Sequence, residues 1–334
     1  MIELTLIFLG ISMLLYVLLG GADFGAGIIE IFTGKKGMNV ISKAIAPVWE
    51  ANHIWIIVVI VILFNAFPEV YSTITLYLHI PLMLVLIGII FRGTAFAFRY
   101  YDPFQDRSHQ IYTLLFKLFS VFTPFFLGVT LGAVILGNMT TDNTLSFYDR
   151  FVAPWFNIFP ASLGIFIVLL FSYLAAVYLV GEATDDKSRK QFSRYSIRLL
   201  IALVLCGGIV FFTAHINGLH LLNMYVHSWI SLSCAILATI LLPVFLYAMK
   251  KDLKNLMRII AGTQTAAILI GWLGIQFPVL VALNNTLSLT VYNAVAPSKT
   301  LLMMIIALIV GLAFVIPLLL YLFRVFKFTK GEEI

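Results

Sequence analysis

The chain has 334 residues, of which 62% are hydrophobic and only 11% are charged, and its formal net charge is +6 at pH 7. A soluble domain is about half apolar and about a quarter charged, so this composition excludes a soluble enzyme, a disordered chain and a disulfide-stapled secreted module. The basic residues lie in short loops between apolar stretches, which excludes nucleic acid as the partner and indicates a lipid bilayer.

Nine apolar stretches follow one another along the chain, and each has about the 20 residues that a helix needs to cross a bilayer. Because lipid offers no partner for a free backbone N–H or C=O, these continuously apolar stretches are predicted to be helices rather than strands. In chain order they are Leu4–Phe32, Ala46–Phe67, Thr75–Ala97, Leu114–Leu136, Phe156–Val180, Ile197–Ile216, His227–Met249, Arg258–Leu280 and Leu301–Phe323.

The predicted fold is an all-α integral membrane protein with nine transmembrane helices, arranged as two four-helix bundles plus one peripheral helix. Within this single membrane domain, residues 1–137 form the first bundle, residues 156–280 the second, and residues 301–334 the final helix and a basic tail. The loops are too short to fold alone, so the helices must carry the function, alone or with a partner.

The basic residues of the loops also predict the orientation of the chain. Lys and Arg collect in the cytoplasmic loops of membrane proteins. The odd-numbered loops and the C-terminal tail, with the adjoining helix ends, hold 19 of the 21 Lys and Arg residues, and the even-numbered loops hold only Arg150 and Lys299. We therefore expect an outward-facing N-terminus and a cytoplasmic C-terminus. The first stretch has no A-x-A cleavage site and is predicted to be a retained helix.

Few ionisable residues lie inside the predicted spans, and such residues are functional candidates. Asp23 in the first span, Glu50 and His53 in the second and Arg92 in the third lie at similar depth in the cytoplasmic half. Carboxylates and imidazole accept and release protons, so Glu50, Asp23 and His53 are candidates for a proton path entered from the cytoplasm. The alternative is a buried cluster that fixes helix packing, with Arg92 paired to Glu50 or Asp23. Glu30 is predicted to be a solvated helix end.

Small and aromatic residues surround these candidates. Gly21 and Gly25 form a small-xxx-small pair, which lets another helix backbone approach closely. Trp49, four residues before His53, is expected to share its helix face, and Asn52 and Trp55 lie on adjoining faces. These five residues are therefore assigned supporting and packing roles.

The histidines outside this cluster match no metal motif. His215, His220 and His227 bracket the short sixth loop at spacings of five and seven residues, which favours interfacial side chains in contact with water over a metal site. His79 is a lone polar residue in an apolar run. Haem ligation by His53 or His79 is kept as a weaker alternative, and no metal site is predicted for this chain.

Three motifs occur in order in the first third of the chain: GGADFGAG at residues 20–27, APVWEANHIWII at residues 46–57 and FRGTAFAFR at residues 91–99. Together they resemble subunit II of the cytochrome bd-type quinol oxidases. The resemblance implies a complex in the bacterial cytoplasmic (inner) membrane that oxidises a membrane quinol and reduces dioxygen to water. It implies a heterodimer in which subunit I carries haem b558, haem b595 and haem d, while this chain binds no haem. Some members also hold a structural quinone or a small accessory subunit.

The resemblance also assigns roles to matching positions. Glu50 matches an acid, commonly Asp, that is linked to a proton path, and Trp55 matches a tryptophan near a proposed oxygen entry. Asp23 matches the second acid of a D-G-F-D-x-G-x-G element, and Arg92 matches the arginine of an F-F-R element. The first acid of D-G-F-D is replaced by Gly20, and Glu stands at position 50 in place of Asp, which suggests a divergent branch such as the cyanide-insensitive type.

A proton-coupled secondary transporter is the alternative function, because many apolar helices with a few buried acids also describe that class. The prolines of the spans are scattered and form no pair of broken helices in matching positions of two halves.

Overall fold

The structure is a computed structural model that describes residues 1–47, 49–101, 107–283 and 288–325. Val48 of the second motif and the basic tail beyond residue 325 lie outside the described residues. The helices are α1 (Ile2–Leu15), α2 (Gly21–Ile31), α3 (Lys35–Ile45), α4 (Trp49–Asn52), α5 (Ile54–Ala66), α6 (Pro68–Tyr77), α7 (His79–Tyr101), α8 (Arg107–Leu136), α9 (Phe147–Phe151), α10 (Ile158–Glu182), α11 (Asp186–Ile216), α12 (Leu221–His227), α13 (Trp229–Lys250), α14 (Lys254–Gln276) and α15 (Ser298–Phe323).

Within the described ranges, nine helical segments are long and apolar enough to cross a membrane, which confirms the predicted number of spans and the helical class. The first segment runs from Ile2 to Ile31 through both α1 and α2, and the second joins α4 to α5. The other seven are α7, α8, α10, α11, α13, α14 and α15. Helices α8 and α11 begin earlier than predicted, because their polar first turns extend beyond the apolar part of each helix.

The structure departs from the all-helical prediction in one loop. Strand β1 (Val279–Val281) pairs antiparallel with β2 (Leu289–Thr290) in the loop between the last two spans. Val281 and Leu289 are buried in a cluster with residues of α5 and the start of α15. The short ladder therefore closes the end of the molecule that is predicted to face outward.

Helix α10 lies at the centre of the molecule and is the most deeply buried of the nine spans. It packs against α2 and α8 on one side and against α11 and α14 on the other. Glycines make these contacts close: a Cβ at Gly25 would overlap the backbone carbonyl of Phe171, and a Cβ at Gly128 would lie 2.6 Å from the Cα of Gly164. Close backbone contact replaces the hydrophobic driving force that lipid cannot provide.

A single wide turn interrupts the first span. Residues Tyr16–Gly20 form a π-helical turn between α1 and α2, and such turns occur frequently at functional sites. The ring of Tyr16 lies over Gly20, where an added Cβ would come within 2.9 Å of it. The turn directly precedes the segment that carries Asp23, so it sets the direction in which α2 leaves the first half of the span.

We expect Gly25→Ala to lower the yield and the thermal unfolding midpoint of the purified membrane complex, because the new methyl group overlaps the Phe171 carbonyl. Overpacking of this kind costs about 1–3 kcal/mol. Gly10→Ala in α1 is the matched control, since nothing lies within 4 Å of an added Cβ there, and it should be neutral or mildly stabilising. Equal midpoints for the two variants would contradict the close contact of α2 with α10.

The orientation is tested by single cysteines in a chain whose two native cysteines are replaced by alanine. Asn143 and Lys251 are both exposed, in loops predicted to lie on opposite sides of the membrane. In spheroplasts, whose cytoplasmic membrane is intact and accessible from outside, we expect a membrane-impermeant maleimide to label Asn143→Cys directly. Lys251→Cys should react only after permeabilisation, and the reverse pattern would overturn the predicted orientation.

Candidate functional site

Asp23 is the centre of a buried polar cluster built from three spans. Its side chain is 5% exposed, and the side-chain amide of Asn52 donates a hydrogen bond to its Oδ2 at 2.6 Å. The Arg92 guanidinium donates through Nη2 to the main-chain carbonyl of Asp23 at 2.9 Å. The structure thus joins three of the sequence-predicted residues.

The Arg92 side chain is fully buried and is held between two aromatic rings. Its guanidinium carbon lies 5.0 Å from the ring centre of Phe24 and 5.1 Å from that of Phe116. The negative faces of the two rings stabilise the buried cation. Among the described residues, Nε and Nη1 of Arg92 have no hydrogen-bond partner. The site therefore retains unused donors beside Asp23.

His53 lies between α4 and α5 and turns its ring into the protein. The ring centre is 5.5 Å from Phe24 and 6.1 Å from Tyr16, and Nδ1 is buried without a partner in the described part of the chain. The regular α-helix is interrupted at His53, whose backbone N–H bonds to the carbonyl of Glu50. The Glu50 side chain is exposed on the surface of the chain.

The remaining predicted residues pack around this cluster. Trp49 lies edge-on to Phe96 at 5.5 Å and against Gly93, and the side chain of Trp55 is 6% exposed. Gly21 lies under the ring of Phe171 in α10. Trp49 thus holds the second span against the third, and Gly21 lets the first span pack closely on α10.

The prediction for Glu30 is wrong. This carboxylate is fully buried, and Arg99 contacts its Oε1 at 2.6 Å while Lys117 lies 4.0 Å from the same oxygen. Arg99 also donates to the hydroxyl of Ser42 in α3, which folds over the end of α2. The prediction fails because other helices cover this position. A residue at a helix end is expected to contact water, but α3 and α8 cover the end of α2 that carries Glu30.

Sequence reasoning also missed polar residues that lie next to the predicted ones. Tyr16 and Ser120 are buried, and each has a hydroxyl without a partner in the described ranges. In the second half of the chain, Arg258 contacts Glu182 at 2.9 Å and the carbonyl of Tyr178 at 2.8 Å. Both this pair and Glu30 with Lys117 follow one pattern. An acid lies near the end of one long helical span, and its cation lies near the start of the apolar part of a later one. This pattern was a signal available in the sequence.

The histidines outside the cluster form no metal centre in the residues that the structure describes, where no three His, Cys, Asp or Glu side chains gather. The rings of His215 and His220 approach to 5.6 Å, and His79 faces the carbonyl of Leu76 at 2.8 Å. A cavity of about 540 Å³ is lined by residues that include no haem-ligating side chain: Phe125, Phe126, Val129, Trp155, Phe156, Asn157, Ile158 and Ala161. His53, packed between two rings, does not open onto this cavity. The lining of this cavity, as far as the structure describes the chain, therefore offers no axial ligand to a haem iron.

The family comparison decides the class of the protein. The model of the family described as cytochrome bd terminal oxidase subunit II matches residues 1–326. The chain belongs to this family. It is accordingly a subunit of a respiratory oxidoreductase complex of the cytochrome bd type, and the transporter alternative is not favoured.

Known relatives agree with this assignment. Cytochrome bd ubiquinol oxidase subunit 2 of Bacillus subtilis is 25% identical over 331 residues, which cover 97% of this chain and 95% of the relative. Cytochrome bd-I ubiquinol oxidase subunit 2 of Escherichia coli K12 is 24% identical over 201 residues, 58% of this chain and 52% of the relative. A chain of the bd oxidase from Geobacillus thermodenitrificans superposes with a TM-score of 0.78 at 20% identity and covers 98% of both chains, which shows a common fold.

We expect Arg99→Met to destabilise the complex strongly, because it leaves Glu30 buried beside only the more distant Lys117. Removing one partner of a buried ion pair costs about 3–5 kcal/mol. The double variant Arg99→Met, Glu30→Gln removes the stranded charge and should recover much of the loss in thermal midpoint. Additive losses in the double variant would show that the two side chains are not energetically coupled.

Proposed function

We propose that this chain is the haem-free membrane subunit of a quinol:dioxygen oxidoreductase in the bacterial cytoplasmic membrane. In this role it supports the haem-bearing subunit I and admits protons from the cytoplasm for the reduction of dioxygen to water. The observation that carries the proposal is the buried cluster of Asp23, Asn52 and Arg92 in a chain of this family. Membrane quinol is the electron donor proposed, and the names of the two relatives, both ubiquinol oxidases, support a quinol.

The haems, b558, b595 and d, belong to subunit I in this proposal. They would supply electron transfer from quinol and the place where dioxygen is reduced. The absence of a fitting ligand set around the 540 Å³ cavity of this chain, and the packing of His53 between Tyr16 and Phe24, support their location in the partner. A structural quinone and a small accessory subunit remain predictions from the family resemblance.

The surface that bears Glu50 is the proposed contact face for subunit I. Glu50 lies in the second membrane span and its side chain is exposed on the isolated chain. An ionised side chain facing lipid is costly, and such residues face protein or a water-filled cavity. Packing of subunit I over α4 would remove Glu50 from lipid and bring it to the side where dioxygen is reduced.

The proton path proposed within this chain uses Asp23, Glu50 and His53. Asn52 holds the Asp23 carboxylate through one oxygen and so orients it towards the interior of the site. Arg92 donates to the main-chain carbonyl of Asp23, so its positive charge lies beside that carboxylate and partly balances it. Asn52 and Glu50 lie two residues apart on α4 and point to different faces of it, so the proposed pathway passes around this short helix from buried Asp23 to the exposed Glu50 face.

We expect Glu50→Gln and Asp23→Asn each to slow quinol-dependent oxygen consumption by about tenfold or more, because an amide cannot relay a proton. The reduced-minus-oxidised haem spectrum of each purified complex should stay unchanged, which separates proton delivery from assembly. Glu69→Gln, an exposed acid at the start of α6, is the matched control and should keep full turnover. Unchanged turnover in both site variants would remove the proton role and leave a packing role for the cluster.

A further inference from the structure

Buried polar atoms without a protein partner are concentrated in the first half of the chain. Within the described residues they include the hydroxyls of Tyr16 and Ser120, Oε2 of Glu30, Nδ1 of His53, and Nε and Nη1 of Arg92. Buried polar groups in folded proteins are almost always bonded to protein or to ordered water. Six such atoms around one helix therefore indicate bound water rather than six separate defects.

The spacing along α2 places three of these groups in a line. Asp23, Gly27 and Glu30 recur at intervals of four and three residues, so they share one face of the helix and together span about 10 Å. The hydroxyl of Ser120 in α8 lies directly on Gly27, in the place that a Cβ would fill. Ser120 thus stands between the two carboxylates, at the level of Gly27, which lies about 6 Å along the axis from Asp23 and about 4.5 Å from Glu30.

Separations of this size suit one bridging water on each side, because two hydrogen bonds of about 2.8 Å through one water span about 4.5–5.6 Å. The Ser120 hydroxyl is both a donor and an acceptor, so it can bond to a water on either side. Glu30 uses Oε1 for Arg99 and leaves Oε2 without a protein partner. Glycine at position 27 is what leaves room for the serine hydroxyl on this face.

We propose that ordered waters held by Ser120 join Glu30 to Asp23 and form the cytoplasmic entry of the proton path. This inference rests on the proposed proton role of Asp23 and adds its entrance, for which Glu30 orders the first water. Each water takes a proton from one neighbour and passes another to the next, so no bond other than O–H bonds changes and no oxidant is needed. Beyond Asp23, the next waters are bound by Nε and Nη1 of Arg92, which have no protein partner in the described residues. The side chains of His53 and Tyr16 also bind them.

The entrance lies beside Lys117. The ammonium of Lys117 is 4.0 Å from Oε1 of Glu30, and its side chain is 23% exposed, whereas Arg99 is 5% exposed. Water therefore reaches the carboxylate along Lys117, at the end of α2 that the loop charges predict to be cytoplasmic. The cations Arg92, Arg99 and Lys117 flank the line and repel an excess proton, and the carboxylates of Glu30 and Asp23 offset two of these three charges and so lower the barrier to its entry.

Ser120→Ala tests the proposal without breaking an ion pair. It removes a buried hydroxyl that has no protein partner and leaves no protein donor or acceptor stranded, so the thermal midpoint should stay close to that of the unsubstituted complex. We expect oxygen consumption with quinol to fall about tenfold. Ser196→Ala is the matched control, because Ser196 is equally buried but its hydroxyl bonds only to the carbonyl of Ser193 in its own helix. The control should keep full turnover.

The waters themselves are tested by a high-resolution map of the whole oxidase. We expect density for water within hydrogen-bond distance of Ser120 Oγ and Glu30 Oε2, and its loss next to position 120 in Ser120→Ala. Full turnover of Ser120→Ala, or a dry contact between α2 and α8, would overturn the entry route. If Asp23→Asn slows turnover while Ser120→Ala does not, the proton role of Asp23 stands and the entry route fails. If neither variant slows turnover, both proposals fail.

Discussion

The burial of the Arg92 guanidinium in the helical bundle is the interaction on which the rest of the site depends. A full charge in this position is costly, and it is held here by the carbonyl of Asp23 and by the faces of Phe24 and Phe116. These contacts come from the first and fourth spans, while Arg92 is in the third. The cation therefore determines how three helices approach one another, and with them the place of the Asp23 carboxylate.

The glycines of the first span allow that arrangement. Gly25 and Gly21 bring α2 against the backbone and ring of Phe171, and Gly27 leaves room for Ser120 on the face that carries Asp23 and Glu30. One helix thus packs tightly against α10 on one side and keeps space for polar groups on another. The π-helical turn at Tyr16–Gly20 lies directly before this segment and widens the helix where the aromatic ring of Tyr16 packs.

Both halves of the chain close one end with an ion pair between a first and a fourth helix. Glu30 of α2 lies near Lys117 of α8, and Glu182 of α10 contacts Arg258 of α14. Among the residues that the structure describes, only the first half adds a buried carboxylate, a histidine and an arginine deeper in the bundle. The proposed proton path therefore lies in the first four spans, and α10 of the second half provides the surface against which α2 packs.

Much of the architecture could be predicted from the amino-acid order. The nine spans followed from length and apolarity, because a bilayer demands about 20 apolar residues per helix and allows few charges within them. The same rule identified Asp23, Glu50, His53 and Arg92, and the three motifs indicated the family. What only the tertiary structure decided was the set of partners. Sequence position suggested that Glu30 meets water, but it is buried against Arg99 because α3 and α8 fold over the end of α2. No sequence pattern marks Ser120 as a site residue, and only the packing of α8 on α2 places its hydroxyl on Gly27. Such contacts join residues far apart in the chain, and their geometry depends on how ridges and small residues of separate helices fit together, which no local pattern specifies.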